Sequence, residues 1–193
     1  MKAVRVMLID ERPERAAMVE RALRDAGYEV VARLGADEDL LARVHATSAD
    51  VIIVDLEVPG RDILEDMRSI SRDRPRPIVM FAEQGDSATI EAAVRAGVSA
   101  YVVDGLSGKR IRPIIEVAVA RFCEFQALRQ ELDQAKTDLA ERKVIEKAKG
   151  ILMKQKGSSE EQAYAALRRM AMDRNQRLAE VARSVITVAD LLG

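Results

Sequence analysis

Asp10 and Glu11 close the apolar run AVRVMLI at residues 3–9, and Asp55 closes a second run, Val51 to Val54, with Glu57, Pro59 and Gly60 just beyond. If the two runs are neighbouring strands, their terminal acids converge at one edge of a sheet. Three carboxylates in one place repel one another unless a cation neutralises them, and an oxygen-rich, partly hydrated set suits Mg²⁺. Transition-metal and disulfide chemistry have no such basis. The only histidine, His45, and the only cysteine, Cys123, lack partners of their own kind. No nucleophile–base pairing and no phosphate-binding glycine loop is visible, so the pattern does not point to an enzyme.

The elements that would position these acids read clearly. After the first run a helical pattern carries Val19, Ala22 and Leu23 to a stop at Gly27; Tyr28 to Leu34 reads as a strand and 37–47 as a helix. Helices follow around Ile63, Met67 and Ile70 and around Ile90, Ala93 and Val94, alternating with strands at Ile78–Phe81 and Tyr101–Val103. Five β–α units with wholly apolar strands predict an α/β doubly wound, flavodoxin-like five-stranded parallel sheet with both faces covered. Ligands of such sheets bind beyond the C-terminal ends of the strands, where the acids lie.

From about Ser107 to Gly157 good helix formers run almost without interruption, predicting a helix of roughly 70 Å. Its middle repeats apolar residues at Phe125, Leu128, Leu132, Ala135 and Leu139 in alternating steps of three and four, the pattern of a coiled-coil seam that would pair two chains as a homodimer; the alternative is a long surface helix packed on its own domain. After Leu139 the phase breaks, and a new apolar set begins at Ile145, Ala148 and Leu152. Gly157 is a plausible stop, Ser158 with Glu161 has the spacing of a capping box, and Asn175 is expected to cap a third helix. The boundaries are therefore placed at 1–120, 121–141 for the linker, and 142–193 for an all-α three-helix module.

The net charge of −1 hides an uneven distribution. Residues 1–141 carry 20 basic and 26 acidic side chains, whereas 142–193 carry 11 and 6. An acidic body with a basic tail suggests a polyanionic partner for the tail. No apolar run approaches the ~20 residues of a membrane span, and the chain opens directly on strand-like sequence, so the cytoplasm is the expected compartment.

Asp10, Glu11 and Asp55 at these strand ends resemble the receiver domain of two-component response regulators, over roughly residues 3–120. The resemblance implies that Asp55 is the phosphoacceptor and that Asp10, Glu11, Asp55 and the carbonyl of Glu57 hold Mg²⁺. Two positions depart from that pattern. Where the family places Thr or Ser at the end of strand four, this chain has Phe81 before Ala82; where it places Lys after strand five, this chain has Asp104-Gly105. Phenylalanine donates no hydrogen bond, and an aspartate adds like charge where a cation should neutralise it. The acceptor is present while the switch that reads it is damaged.

Residues 142–182, with Ile145, Ala148-Lys149-Gly150-Ile151-Leu152-Met153, Ala163-Tyr164, Leu167-Arg168, Ala171 and Ala182, resemble the ANTAR domain of the AmiR/NasR transcription antitermination regulators. The departures in strands four and five, with YVVDGL, look most like the nitrate-assimilation branch of that family. The resemblance implies binding to paired RNA stem-loops in an mRNA leader and control by a separate nitrate- or nitrite-sensing protein. Lys149, Arg168, Arg169 and Arg174 then contact phosphates and loop bases, Gly150 admits a close backbone, and Tyr164 stacks on a base or else packs between helices. The alternatives are a phosphorylation-driven DNA-binding response regulator and an adaptor working only through protein contacts. On the leading reading, Asp55→Asn leaves signal-dependent output largely intact in a reporter assay; loss of all response in that variant contradicts it.

Overall fold

The computed structural model describes residues 3–35, 39–103 and 108–192. Five apolar segments form strands, β1 (Arg5–Asp10), β2 (Glu29–Leu34), β3 (Val51–Leu56), β4 (Ile78–Ala82) and β5 (Ala100–Val103). They alternate with α1 (Pro13–Asp25), α2 (Leu40–Ala46), α3 (Arg61–Asp73) and α4 (Ser87–Arg95), and are followed by α5 (Gly108–Lys156), α6 (Glu160–Asp173) and α7 (Leu178–Leu192). All strand pairs are parallel, in the order β2-β1-β3-β4-β5. This is the doubly wound sheet that the apolar runs predict.

Successive strand residues point to opposite faces, so each run feeds two cores. Met7, Ile9, Ile52, Val54, Ile78 and Met80 pack beneath α2, α3 and α4, against Leu40, Val44, Met67, Ile70 and Ala93. Val6, Leu8, Val51, Ile53, Val79 and Phe81 pack on α1 and the beginning of α5, against Val19, Leu23, Ile111 and Ile115. Burial on both faces explains why the strands show no polar alternation.

The helix ends follow local chemistry. Asp39 accepts the Ala42 N–H at 3.0 Å at the start of α2, and Asp86 accepts that of Thr89 at 2.7 Å at the start of α4. The expected beginning of α2 at 37 lies outside the described residues. Gly97 ends α4 with φ 95°, and a Cβ there would also collide with the Ser71 side chain. Backbone conformation and packing both hold that position to glycine.

The chain forms two compact units, Met1–Gln126 and Ala127–Gly193. In the second, Ala148 and Leu152 of α5 pack with Ala163, Leu167 and Ala171 of α6 and with Val181 and Ala182 of α7. The alanines let three helices close around a small core. Between the two units' packed positions the seam of α5 is open: Phe125, Leu128, Leu132 and Leu139 are each 53–61% exposed, and Ala135 is exposed too. No helix among the described residues is long and apolar enough to cross a membrane.

Two expected caps fall elsewhere. The capping box belongs to Ser159 and Gln162, whose side chains accept each other's backbone N–H at 3.2 and 3.0 Å. Ser158 instead donates to the Leu152 carbonyl, 3.5 Å away, finishing the last turn of α5. Asn175 ends α6 rather than beginning α7. It takes φ 50°, and the following N–H of Gln176 returns to the Ala171 carbonyl at 3.0 Å. Asparagine tolerates that left-handed geometry, which makes it an exit residue. The entry to α7 is closed by Arg177, whose N–H donates to Glu180 Oε2 at 3.2 Å.

Phe81, one of the departures from the receiver pattern, is wholly buried. Truncation to alanine should destabilise the first unit by about 3–5 kcal/mol, measured by urea unfolding, whereas Phe81→Leu should cost far less.

Candidate functional site

Asp10 and Asp55 are level partners on adjacent strands β1 and β3. Both are buried, at 5% and 1% exposure, on the same face of the sheet as Phe81. The positive charge beside them comes from the protein itself. The Arg15 guanidinium grips Asp55 with two prongs, Nε to Oδ2 at 2.9 Å and Nη2 to Oδ1 at 2.8 Å. Its third nitrogen, Nη1, reaches Glu83 Oε1 at 2.7 Å in the connection after β4. Arg12 donates its backbone N–H to Asp10 Oδ1 at 2.8 Å and pairs its side chain with Glu57 at 2.9 Å and Glu83 at 2.7 Å.

These contacts set the local acidities. Burial pushes the Asp55 carboxyl above the usual carboxylate range, with Asp10 adding to the rise and Arg15 opposing it. Glu83 is held below the usual range, chiefly by the hydrogen bond from Arg12, and the Arg12 guanidinium is raised in return.

The four residues expected around a divalent cation are not assembled as such a set. Among the described residues no group of three or more acidic, histidine or cysteine side chains is disposed to hold a metal. Glu11 is exposed, and the Glu57 side chain is turned to Arg12. The Glu57 carbonyl accepts the Glu83 N–H at 3.3 Å. Among the described residues only Asp10 Oδ2 is a buried carboxylate oxygen with neither a hydrogen bond nor an ion pair. With Arg15 in place the site does not fit Mg²⁺.

The loop after β4 is pinned a second time, since the Tyr101 hydroxyl donates to the Gln84 carbonyl at 3.0 Å. Phe81 and Ala82 offer no hydroxyl, as expected, and Asp104-Gly105 lie outside the described residues. Sequence reasoning missed Arg12 and Arg15. Their signal was present: two arginines three apart, opening the helix directly after the acidic pair.

In the second unit Arg168, Arg169 and Arg174 are exposed on α6 and at its end. Tyr164 is 44% exposed rather than packed between helices. With Arg168, Met172, Asn175 and Gln176 it lines an open groove of about 360 Å³. Gly150 faces open space, with nothing near the position of a Cβ. Lys149 has a different place from the one expected: it is 7% exposed, with Nζ 2.6 Å from Glu160 and 2.8 Å from Glu146. Both acids raise its pKa, and Glu160 is lowered in turn.

Residues 6–116 match the response regulator receiver domain family, and residues 133–186 match the ANTAR domain. The transcriptional regulatory protein PdtaR of Mycobacterium tuberculosis is 32% identical over 182 residues, covering 94% of this chain and 89% of that protein. The nitrate regulatory protein of Klebsiella oxytoca is 54% identical over 68 residues, 35% of this chain and 17% of that one. Among solved structures, a LuxR-family two-component response regulator from Aurantimonas sp. SI85-9A1 superimposes with a TM-score of 0.55 at 29% identity, over 62% of this chain and 86% of the other. A parallel five-stranded sheet with paired acids at its C-terminal edge, followed by a long helix and a small helical unit, therefore has a family: the chain belongs to the response regulators, with a receiver domain followed by an ANTAR domain.

Proposed function

We propose that this chain is an RNA-binding transcription antitermination regulator acting in the cytoplasm as a homodimer. It grips paired stem-loops in an mRNA leader and so keeps a terminator hairpin from forming. The receiver spans 1–120, the dimerising linker 121–141 and the RNA-binding module 142–193. One observation carries the reading: α6 presents Arg168, Arg169 and Arg174 beside an exposed Tyr164, with no acidic partner for the three arginines among the described residues. Unpaired guanidiniums next to an exposed ring suit phosphates and unstacked loop bases.

The exposed apolar seam of α5 supports pairing through Phe125, Leu128, Leu132, Ala135 and Leu139, which would give the two modules a high effective concentration on paired hairpins. The likeness to the Klebsiella nitrate regulatory protein supports control of nitrate or nitrite assimilation genes. The hold of Arg15 on Asp55 supports control through a ligand-sensing partner protein in place of phosphorylation.

A gel shift of the full chain against hairpin RNA, a loop-mutated hairpin and duplex DNA tests the reading. Loop-dependent, RNA-selective binding is expected; duplex preference favours a DNA-binding regulator, and no binding favours a protein adaptor. Arg168→Ala should weaken RNA binding roughly tenfold and flatten the slope of log K against log salt by about 0.7–0.9 if it contacts one phosphate. Lys149→Gln should behave otherwise, lowering the melting temperature by loosening α5 from α6 while Arg168 and Arg169 still bind. An unchanged melting temperature with lost RNA affinity would return Lys149 to the interface.

A further inference from the structure

We infer that Arg15 is the resident cation of the receiver's acidic site and excludes a divalent metal from it. The site opens to Mg²⁺ only when that guanidinium is withdrawn. This goes beyond the function proposed above, and it holds or fails whether or not the tail binds RNA.

The geometry leads there in three steps. First, the cluster of Asp10, Asp55, Glu57 and Glu83 holds four carboxylates against the guanidiniums of Arg12 and Arg15, leaving a formal charge of −2. It is a place for cations, and anions are disfavoured. Second, the donors a small hard cation would use are already engaged. Both Asp55 oxygens face Arg15 at 2.8–2.9 Å, and Asp10 Oδ1 and the Glu57 carbonyl accept backbone N–H groups. Mg²⁺ demands near-ideal octahedral oxygen geometry, which a planar guanidinium on the same carboxylate precludes. Third, one buried oxygen, Asp10 Oδ2, has neither a hydrogen bond nor an ion pair. An orphaned buried carboxylate oxygen beside the Arg15–Asp55 pair is an unmet demand for positive charge, and it marks where an incoming ion would first be held once Arg15 moves off.

Arg15 also differs from a dissociable metal in being tethered. A group attached through its own helix acts at a high effective concentration without depending on supply from solution. Its guanidinium joins Asp55, through Nε and Nη2, to Glu83, through Nη1, so the neutralising charge also ties β3 to the connection after β4.

Thermal unfolding of the full chain with MgCl₂ from 0 to 20 mM at constant ionic strength tests this. The first-unit transition of the wild type should not move with Mg²⁺. Arg15→Ala should gain a saturable rise of roughly 3 °C or more at ten times its dissociation constant. Adding Asp55→Asn to Arg15→Ala should abolish that rise. Arg15→Lys keeps one charge but loses the two-pronged grip, so it should show a smaller gain, and it decides the matter if Arg15→Ala fails to fold at every Mg²⁺ concentration. A wild-type response equal to that of the variants would overturn the inference. So would the absence of any gain in both Arg15 variants, or a gain that survives Asp55→Asn.

Discussion

Two carboxylates buried side by side set the terms for the receiver. Asp10 and Asp55 sit level on neighbouring strands, where water cannot screen them, and an unpaired buried charge is expensive. The bidentate contact from Arg15 offsets that cost because a guanidinium is always charged and its fork matches a carboxylate. Sharing Glu83 with Arg12 extends the arrangement across three elements. One edge of the sheet is thereby held together by charge, while its two faces are held by aliphatic packing. Phe81, filling the space level with Asp55, belongs to the second kind of bond where the receiver pattern would have the first.

The long helix carries its apolar residues in a frame that serves more than one purpose. Ile111, Ala118, Phe125, Leu132 and Leu139 stand at intervals of seven. The first two are buried against the sheet, while the last three are more than half exposed. A single heptad line thus begins as core and continues as an exposed apolar stripe. Beyond Leu139 the line is abandoned, and Ile145, Ala148 and Leu152 turn a different stripe towards α6 and α7.

Much of this was legible in the sequence because it is written in short-range patterns. Apolar runs gave the strands, three- and four-residue spacing gave the helices, and acids at run ends gave the position of the cleft. What escaped depended on reach across the chain. Arg15 meets Asp55 forty residues away, through a long side chain whose direction no local periodicity encodes. Lys149 looked like a surface cation until the start of α6 brought Glu160 to its ammonium. The displaced cap has a subtler cause: Ser158-Ser159 and Glu161-Gln162 offer two equivalent frames, and the fold chose one because the other serine closes the preceding helix. Asn175 could serve either helix end by type, and only the positive φ decides which.

Every residue from 127 to 140 in α5 is exposed, so within one chain this stretch owes its helicity to propensity and to the packed turns on either side. A helix segment in that position lies at the low end of a protein's local stability and opens far more often than the cores flanking it. When the chain is dilute its backbone amides should trade hydrogen for deuterium faster than those of the packed helix turns on either side. Pairing of two chains through that stripe, as proposed above, would slow them more than it slows the packed turns, so the stretch would report its own occupancy.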